Sequence, residues 1–343
     1  MKILFFADLH MCPRASIINK WGSKYPLRLE NCINSVNWLE RLAETEGCEY
    51  IISLGDFFDK PDLTSETITA SKDLEWSNIP HISIVGNHDA SVSSLEFNSA
   101  NSLLNSLHKV ITEPQLLTFD TFELGLLPYI VESDRRPLDS YFSAPNSKPR
   151  IIVSHNDLNG IQLGPVVSKT GFTIEEIEAN CDLFLNGHLH NGQAISKKVI
   201  NLGNITGKDF GEDAGKHSHE AAILDTDTMS VRYIENPFAF NFYKLQVDAE
   251  QDIKKFATLK ANAVVSVKCA KGLVESVKAA IANTPNILEA RVIITRTAED
   301  DHDVDTNAID LSAIDHLARF VECCMANIDN TRMLEEELAE VCK

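Results

Sequence analysis

Five short motifs along the chain carry side chains that could hold metal ions. In chain order they are Asp8-Leu9-His10, Gly55-Asp56, Gly86-Asn87-His88-Asp89, Ser154-His155-Asn156 and Gly187-His188-Leu189-His190. Carboxylate, imidazole and amide ligands suit Mn, Fe, Zn or Mg, and the absence of cysteine from the set disfavours a closed structural zinc site. A single such motif would mean little, because an isolated histidine near a strand end usually has a structural role. Together the motifs predict a catalytic metal centre.

Each motif follows a short apolar segment that is typical of a buried strand. These segments lie at 3–7, 50–54, 81–85, 151–154 and 182–185. Helical patterns lie between them, at 29–46, 65–76 and 95–107. The alternation predicts an α/β (α+β) fold, a two-sheet sandwich flanked by helices. Ligands of such folds bind at the carboxyl ends of the strands, where these motifs fall.

From residue 199 the pattern changes to strands without long helices, at 199–202, 221–225, 229–235 and 242–247. We expect these strands to form the second sheet of the sandwich. A small β-α-β unit follows, with its elements at 263–268, 273–282 and 288–295. The predicted domains are therefore a metal-bearing domain at 1–240, a β-α-β capping domain at 241–298 and a C-terminal segment at 299–343.

The C-terminal segment begins with five carboxylates at 299–305, followed by apolar residues at helical spacing. We interpret the acidic run as a solvated linker. The alternative is a metal-binding loop, but the run lacks the glycine and the terminal Glu of a calcium loop. The amphipathic helices after it must bury their apolar stripe against the protein's own core or against a partner.

Charge and cysteine usage limit the function classes. The formal net charge of -19 argues against a protein that holds nucleic acid by a basic surface of its own. A nucleic-acid substrate would need positive charge from bound metal cations or from a partner. The eight cysteines form no CxxC pair, which indicates reduced thiols and a cytoplasmic location. No apolar stretch approaches the ~20 residues of a membrane span, so we expect no signal peptide and no membrane association.

The order D-x-H, G-D, G-N-H-D, H and G-H-x-H resembles the calcineurin-like metallophosphoesterase superfamily, over about the first 240 residues. The resemblance implies two divalent cations, with manganese expected and magnesium as the alternative. It implies that one cation is held by Asp8, His10, Asp56 and His190, and the other by Asp56, Asn87, His155 and His188. Asp56 would bridge the two. Such a pair clamps a phosphate and lowers the pKa of a shared water.

By the same resemblance, His88 would face the substrate, where its imidazolium could donate a proton to the leaving oxygen. Asp89 would orient His88. The alternative for both residues is a purely structural role in the turn that they form.

The substrate class is indicated by details of two motifs. Protein phosphatases of the superfamily carry G-D-x-x-D-R-G and G-N-H-E, whereas this chain has Gly55-Asp56-Phe57-Phe58-Asp59-Lys60-Pro61 and Gly86-Asn87-His88-Asp89. The latter pattern resembles SbcD-type nucleases, the nuclease subunits of DNA double-strand-break-processing complexes. Many of those have His where Asp59 stands here. Asp59 and Asn204, which lies in a similar loop at 202–207, are therefore only candidate substrate-binding residues.

This resemblance also implies exonuclease and endonuclease activity on double-stranded DNA ends and single-stranded DNA. An SbcC-type ATPase would bind the terminal helices, and the chain would form a homodimer. Candidate dimer contacts are Leu95, Leu103, Leu104 and Leu107, which could instead pack on their own sheet. Two other functions compete. A cyclic-nucleotide phosphodiesterase leaves the amphipathic tail unexplained, and a scaffold with a relic metal site is disfavoured by the competent side chain at every candidate position.

Overall fold

The computed structural model describes residues 1–91, 94–142, 148–163 and 166–295. The strands are, in chain order, β1 (Lys2–Phe6), β2 (Tyr50–Ser53), β3 (His81–Ile84), β4 (Ala90–Ser91), β5 (Ser94–Asn98), β6 (His108–Ile111), β7 (Gln115–Thr118), β8 (Glu123–Leu127), β9 (Arg150–Ser154), β10 (Gln162–Leu163), β11 (Val166–Val167), β12 (Leu183–Asn186), β13 (Gln193–Ala194), β14 (Val199–Asn201), β15 (Glu220–Asp225), β16 (Ser230–Glu235), β17 (Asn241–Val247), β18 (Ala263–Ala270) and β19 (Ile287–Thr295). The α-helices are α1 (Leu27–Glu46), α2 (Ser65–Ser71), α3 (Ile174–Asn180) and α4 (Val274–Ala282). Short 3₁₀ helices include Ser99–Leu103 and Glu250–Thr258.

Two six-stranded sheets form the body of the protein. Their strand orders are β16-β15-β1-β2-β3-β6 and β13-β14-β12-β9-β8-β7. Strands β1, β2, β3 and β6 run parallel in the first sheet, as do β8, β9, β12 and β14 in the second. Parallel neighbours end at the same sheet edge, so the segments that follow them lie side by side. The predicted two-sheet fold is confirmed.

Strand β1 illustrates how the layers are held together. Phe5 is buried in a cluster with Val153 and Leu185 of the second sheet, so this cluster lies between the sheets. Leu4 belongs to a different cluster, in which Leu29 of α1 also packs. Alternate residues of a strand point to opposite faces, so an uninterrupted apolar strand buries both. Each such side chain contributes roughly 1.5–3 kcal/mol when fully buried.

The predicted helices are only partly correct. Helix α1 matches its prediction, α2 ends at Ser71, and the predicted helix at 95–107 is wrong, because β5 and a 3₁₀ helix occupy that segment. The side-chain oxygen of Asn98 accepts the backbone N–H of Asn101 at 2.8 Å, and that of Asn105 accepts the N–H of Leu107 at 2.8 Å. Such local bonds offer the backbone an alternative to the helix.

The later strands do not form one sheet, contrary to the prediction. Strand β14 pairs with β12 in the second sheet, whereas β15 pairs antiparallel with β1 and extends the first. The buried centre of β15 packs beside β1 in the register Leu4 to Ile223, which satisfies an otherwise open edge. Strand β17 pairs with β18 in a separate three-stranded sheet, β17-β18-β19.

The predicted domain division stays a prediction. Residues Met1–Ile294 form one compact unit, within which the three-stranded sheet begins at Asn241. The acidic run and the terminal helices predicted at 299–343 lie outside the described residues. In the part of the chain that the structure describes, no helix has both the length and the apolar character of a membrane span.

Candidate metal centre

The five motifs meet at one edge of the sandwich. Asp8 and His10 follow β1, Asp56 follows β2, Asn87 follows β3, His155 follows β9, and His188 and His190 follow β12. The ligand atoms of Asp8, His10 and His190 lie within 4.8 Å of one another, as do those of Asp8, Asp56 and His155. The amide oxygen of Asn87 is 3.1 Å from His155 Nε2 and 2.9 Å from His188 Nδ1. The seven predicted ligand residues are therefore brought together, although their binding of metal remains a prediction.

The backbone at this edge is strained. Asp8, His10, Asp56 and His188 have φ values of 53°, 47°, 51° and 76°. Residues other than glycine rarely adopt such left-handed conformations, which cost of order 1–3 kcal/mol each. Strain of this kind persists where the surrounding structure holds it in place, and its concentration here is typical of a functional site.

Two motif glycines permit the side chains to approach. A Cβ at Gly86 would lie 2.2 Å from Asp56 Oδ1, and one at Gly55 would lie 2.5 Å from His155 Nδ1. Both distances are far shorter than real contacts of a Cβ atom. Glycine is thus required at both positions for steric reasons, in addition to the positive φ of Gly55.

In the half of the centre formed by Asp8, His10 and His190, the Nε2 atoms of the two imidazole rings face each other. His10 Nδ1 lies 3.2 Å from Asp59 Oδ1, and His190 Nδ1 lies 3.0 Å from Glu212 Oε1. Carboxylates only accept hydrogen bonds, so these contacts favour the hydrogen on Nδ1 and the lone pair on Nε2 in both rings. At His10 the ammonium of Lys208 also lies 3.4 Å from Nδ1 and favours the opposite tautomer. These two Nε2 atoms are 3.0 Å apart. A cation between them would satisfy both lone pairs, so the donor set fits a metal ion.

The second half shows the same pattern. His155 Nδ1 donates to the Leu54 carbonyl at 2.7 Å, and His188 Nε2 donates to Asp157 Oδ1 at 3.1 Å. The opposite nitrogen of each ring faces acceptor oxygens. For His155 these are Asn87 Oδ1 at 3.1 Å and Asp56 Oδ2 at 3.2 Å. These acceptor oxygens can be satisfied by a cation, or by a proton on His155 when no cation is bound.

Electrostatics within the cluster agree with this interpretation. Burial alone would lower the pKa of His155, but the charge of Asp56 outweighs burial and raises the pKa to about 9. Burial would likewise raise the pKa of Asp56, but the charge of His155 and their hydrogen bond hold it well below its usual range. A proton on His155 thus supplies positive charge where a cation would otherwise supply it. Metal binding must displace that proton.

His88 lies beside the cluster, with its side chain partly exposed. Its backbone N–H donates to Asp56 Oδ1 at 2.8 Å, and its Nδ1 donates to the carbonyl oxygen of Asp59 at 3.0 Å. Its ring packs edge-on against that of His10, with centroids 4.7 Å apart. These contacts hold the ring beside the centre through Nδ1, and Nε2 makes no hydrogen bond within the described residues.

Asp89 does not orient His88, contrary to the prediction. Its buried carboxylate accepts the backbone N–H groups of Phe58 at 2.9 Å, Gly86 at 3.1 Å and Phe57 at 3.4 Å. Burial and the charge of Asp56 raise the pKa of Asp89 to about 7, while the N–H donors act in the opposite direction. Asp89 thus connects the loop after β2 to the loop after β3. This is a structural role, the alternative to orienting His88.

The two candidate substrate-binding residues also have structural contacts. Asp59 bonds to His10 and to the ammonium group of Lys208, so it positions a predicted ligand. Asn204 is buried, and its side-chain oxygen accepts the backbone N–H groups of Thr206 at 2.7 Å and Gly207 at 2.6 Å. These bonds shape the loop beside the site, and a substrate-binding role for Asn204 stays a prediction.

The partners that orient the histidines were not predicted from the sequence. Glu212 bonds to His190, Asp157 bonds to His188, and Lys208 bonds to Asp59. Partners of this kind fix the ring orientation and raise the basicity of metal ligands. Asp157 lies two residues after His155, which was a usable signal. Glu212 and Lys208 lie in an irregular loop whose sequence carries no periodic pattern.

A cluster of these ligand types at the ends of parallel strands is typical of metal-dependent hydrolases. Comparison with known families gives the same class more specifically. The model for calcineurin-like phosphoesterases matches residues 1–192. The chain belongs to the calcineurin-like phosphoesterase family. Divalent metal ions are used throughout this family, in agreement with the candidate ligand clusters.

Similar proteins include a phage protein. The chain is 25% identical over 248 residues to the probable exonuclease subunit 1 of Escherichia phage T5, which covers 68% of this chain and 69% of that protein. Among solved structures, a dimetal phosphatase from Danio rerio has a TM-score of 0.41 at 13% identity and covers 68% of this chain and 98% of its own. The phosphoesterase YfkN from Bacillus subtilis has a TM-score of 0.38 at 11% identity, over 68% and 88% of the two chains.

Proposed function

We propose that the protein is a two-metal nuclease that hydrolyses phosphodiester bonds of DNA, with exonuclease and endonuclease activity. The observation that carries the proposal is the convergence of ligand atoms from His10, His190, His155 and Asn87 around Asp8 and Asp56. A pair of divalent cations bound there would clamp a phosphate and lower the pKa of a shared water. We propose manganese as the cations, with magnesium as the alternative.

The chain's own residues have distinct roles in this reaction. His88 would act on the leaving oxygen, because its Nδ1 is occupied by the Asp59 carbonyl and only Nε2 remains to donate a proton. Glu212 and Asp157 would hold His190 and His188 in one tautomer and orientation. Asp89 would keep the loops that carry Asp56 and His88 at a fixed separation.

The choice of DNA as the substrate has two supports. The motifs Gly55 to Pro61 and Gly86 to Asp89 depart from those of protein phosphatases and resemble those of SbcD-type nucleases. The similar phage protein is described as an exonuclease subunit. The net charge of -19 opposes DNA binding, and we propose that the bound cations and a partner offset it at the site of cleavage.

We further propose an SbcC-type ATPase as that partner, bound by the segment after residue 298, and a homodimer. Phe97 and Leu104 are 67% and 54% exposed and offer a dimer surface, whereas Leu103 is buried in its own core and drops out of the predicted set. Sedimentation of a Leu104→Glu variant tests the dimer, and a monomer is expected. Co-purification of the full chain tests the ATPase.

A DNA-processing role implies that the protein acts in the cytoplasm, at the nucleoid or in the cytoplasm of a host cell.

The decisive experiment compares substrates for the same preparation. With manganese, we expect mononucleotides to be released from duplex DNA and single-stranded DNA to be cut, with little hydrolysis of cyclic nucleotides. The His88→Ala variant should retain its metal and lose roughly 10²–10⁴-fold in kcat. Hydrolysis of cyclic nucleotides alone would replace the nuclease proposal with the phosphodiesterase. Metal binding without turnover on any of these substrates would favour the scaffold.

A further inference from the structure

A cleft of about 680 Å³ opens directly beside the candidate metal centre. One wall is formed by the segment at 11–26, which follows His10, and the other by the segment at 59–67. Asp59 belongs to both the cleft and the centre, because its Oδ1 lies 3.2 Å from His10 Nδ1 and its carbonyl accepts from His88 Nδ1. A ligand that fills the cleft would therefore continue into the centre.

The walls carry an unusual combination of side chains. Trp21 is 70% exposed, the highest exposed fraction among the large apolar residues that the structure describes. Arg14 and Lys60 are exposed, one on each wall, and the side chain of neither makes a hydrogen bond or ion pair within the described residues. Lys20, by contrast, is paired with Glu289 at 3.3 Å. Two unpaired cations and a bare indole thus border the cleft.

The position of Trp21 is fixed by its surroundings. Its backbone bridges that of Pro26, and the flanking Gly22 N–H donates to the Tyr25 carbonyl at 2.8 Å. Earlier in the same wall, Ala15 and Ile18 are buried in a cluster with Phe242 and Val264. The indole is therefore presented by an anchored loop, so binding to it would cost little ordering entropy.

The chemistry of the cleft distinguishes among phosphate-bearing ligands. Its volume lies in the roughly 300–1,000 Å³ range of sites that enclose a whole small molecule. Asp62 and Glu66 also line it, so its net charge is close to balanced. A balanced cleft does not attract a duplex by its field, but an exposed indole stacks on any unpaired base, and two free cations can pair with flanking phosphates.

We propose that this cleft binds an unpaired stretch of the DNA strand next to the scissile phosphate, with one base stacked on Trp21 and phosphates paired with Arg14 and Lys60. This inference rests on the proposed nuclease function and makes it more specific. Bases within a duplex are already stacked on both faces, so the cleft selects single strands and frayed ends. Outside the metal centre, the protein then needs positive charge for only a few phosphates. A chain with a net charge of -19 can meet that requirement.

The test uses the full chain and two substrates, a single-stranded oligothymidylate and a small chromogenic phosphodiester that is too short to reach the cleft. The quantity compared is the ratio of kcat/KM on the oligonucleotide to that on the small diester. Trp21→Ala should lower this ratio roughly 5- to 150-fold, and Trp21→Phe should restore most of it. The exposed Tyr233 of β16 provides a matched aromatic control, and Tyr233→Ala should leave the ratio unchanged.

The charges are tested by salt dependence. Arg14→Gln and Lys60→Gln should each reduce the slope of log affinity against log salt for the oligonucleotide by about 0.7. Lys254→Gln, which removes an exposed lysine of the Glu250–Thr258 helix, should leave the slope unchanged.

The outcomes separate the inference from the proposed function. If the protein cleaves the oligonucleotide and Trp21→Ala leaves the ratio at its wild-type value, the cleft has another occupant, such as a protein segment, and only the inference is overturned. An equal loss on both substrates in Trp21→Ala would make Trp21 a structural residue and would also overturn it. If the wild-type protein hydrolyses the small diester but no DNA, the nuclease function fails, and the inference fails with it.

Discussion

The close approach of Gly86 to Asp56 gives the sharpest mutational prediction. A Cβ at position 86 would lie 2.2 Å from Asp56 Oδ1 and 2.5 Å from the Asp56 backbone nitrogen, whereas real Cβ atoms essentially never approach closer than 3.0 Å. One of the two crowded atoms belongs to the backbone, so a change of rotamer cannot relieve the clash. Gly86→Ala must therefore displace the carboxylate at the centre of the cluster by about 1 Å, in an interior that is already close-packed.

A displacement of this size has a calculable effect. Misplacement by about 1 Å can reduce a rate roughly 100-fold, and overpacking costs typically 1–3 kcal/mol of stability. We expect Gly86→Ala to lose at least about two orders of magnitude in kcat/KM on a small phosphodiester and to bind manganese more weakly. The measurements are a manganese titration of activity, the metal content after dialysis, and urea unfolding. Gly86 does not have positive φ, so any loss in Gly86→Ala comes from the steric clash and not from backbone strain.

Gly272 supplies the matched control, because a Cβ there has no atom within 4 Å and its φ is also not positive. Gly272→Ala should keep wild-type activity and metal content. If Gly86→Ala bound manganese and turned over like the wild type, the geometry of Asp56 described above would be refuted.

Two further predictions concern residues outside the motifs. Glu212→Gln removes the carboxylate that orients His190 and should weaken metal affinity roughly 10- to 100-fold in a chelator competition, and unchanged affinity would dismiss that role. Burial, assisted by the charge of His81, lowers the pKa of His108 to about 3. The unfolded chain then binds a proton below about pH 6.5 that the folded chain refuses, so stability falls as pH drops from 6.5 toward 3, by about 2 kcal/mol between pH 7 and 5. Urea unfolding of His108→Gln should lack this loss, and the same pH dependence in the variant would contradict it.

The sequence was sufficient for features that are encoded locally. Asp56 could be placed at a strand end because an apolar run stops immediately before it, and parallel strands end together. Glu212 could not be placed, because it lies in an irregular loop and its partner His190 is 22 positions earlier, before β13 and β14. Asp89 was misassigned for a related reason. Its neighbour in the chain is His88, but its hydrogen bonds go to the backbone of Phe57 and Phe58, which follow the neighbouring strand β2.

In the fold, too, locally encoded elements could be predicted and long-range pairings could not. Helix α1 was predictable because its apolar residues recur at helical spacing, and they pack under the first sheet. The segment at 95–107 has a comparable run of leucines, but Asn98 and Asn105 bond to nearby backbone and prevent a helix. The pairing of β15 with β1 joins residues more than 200 positions apart, as in Leu4 with Ile223. Several sheet edges could accept such a strand, so its partner could not be read from its own residues.

The proposed bridging of two cations by Asp56 is tested most directly by counting manganese ions per chain, with equilibrium dialysis followed by elemental analysis. The wild-type protein should bind two ions, and Asp56→Ala should retain neither, because the carboxylate serves both halves of the centre. Two ions retained by Asp56→Ala, or none bound by the wild-type chain, would contradict the metal centre on which the proposed function depends.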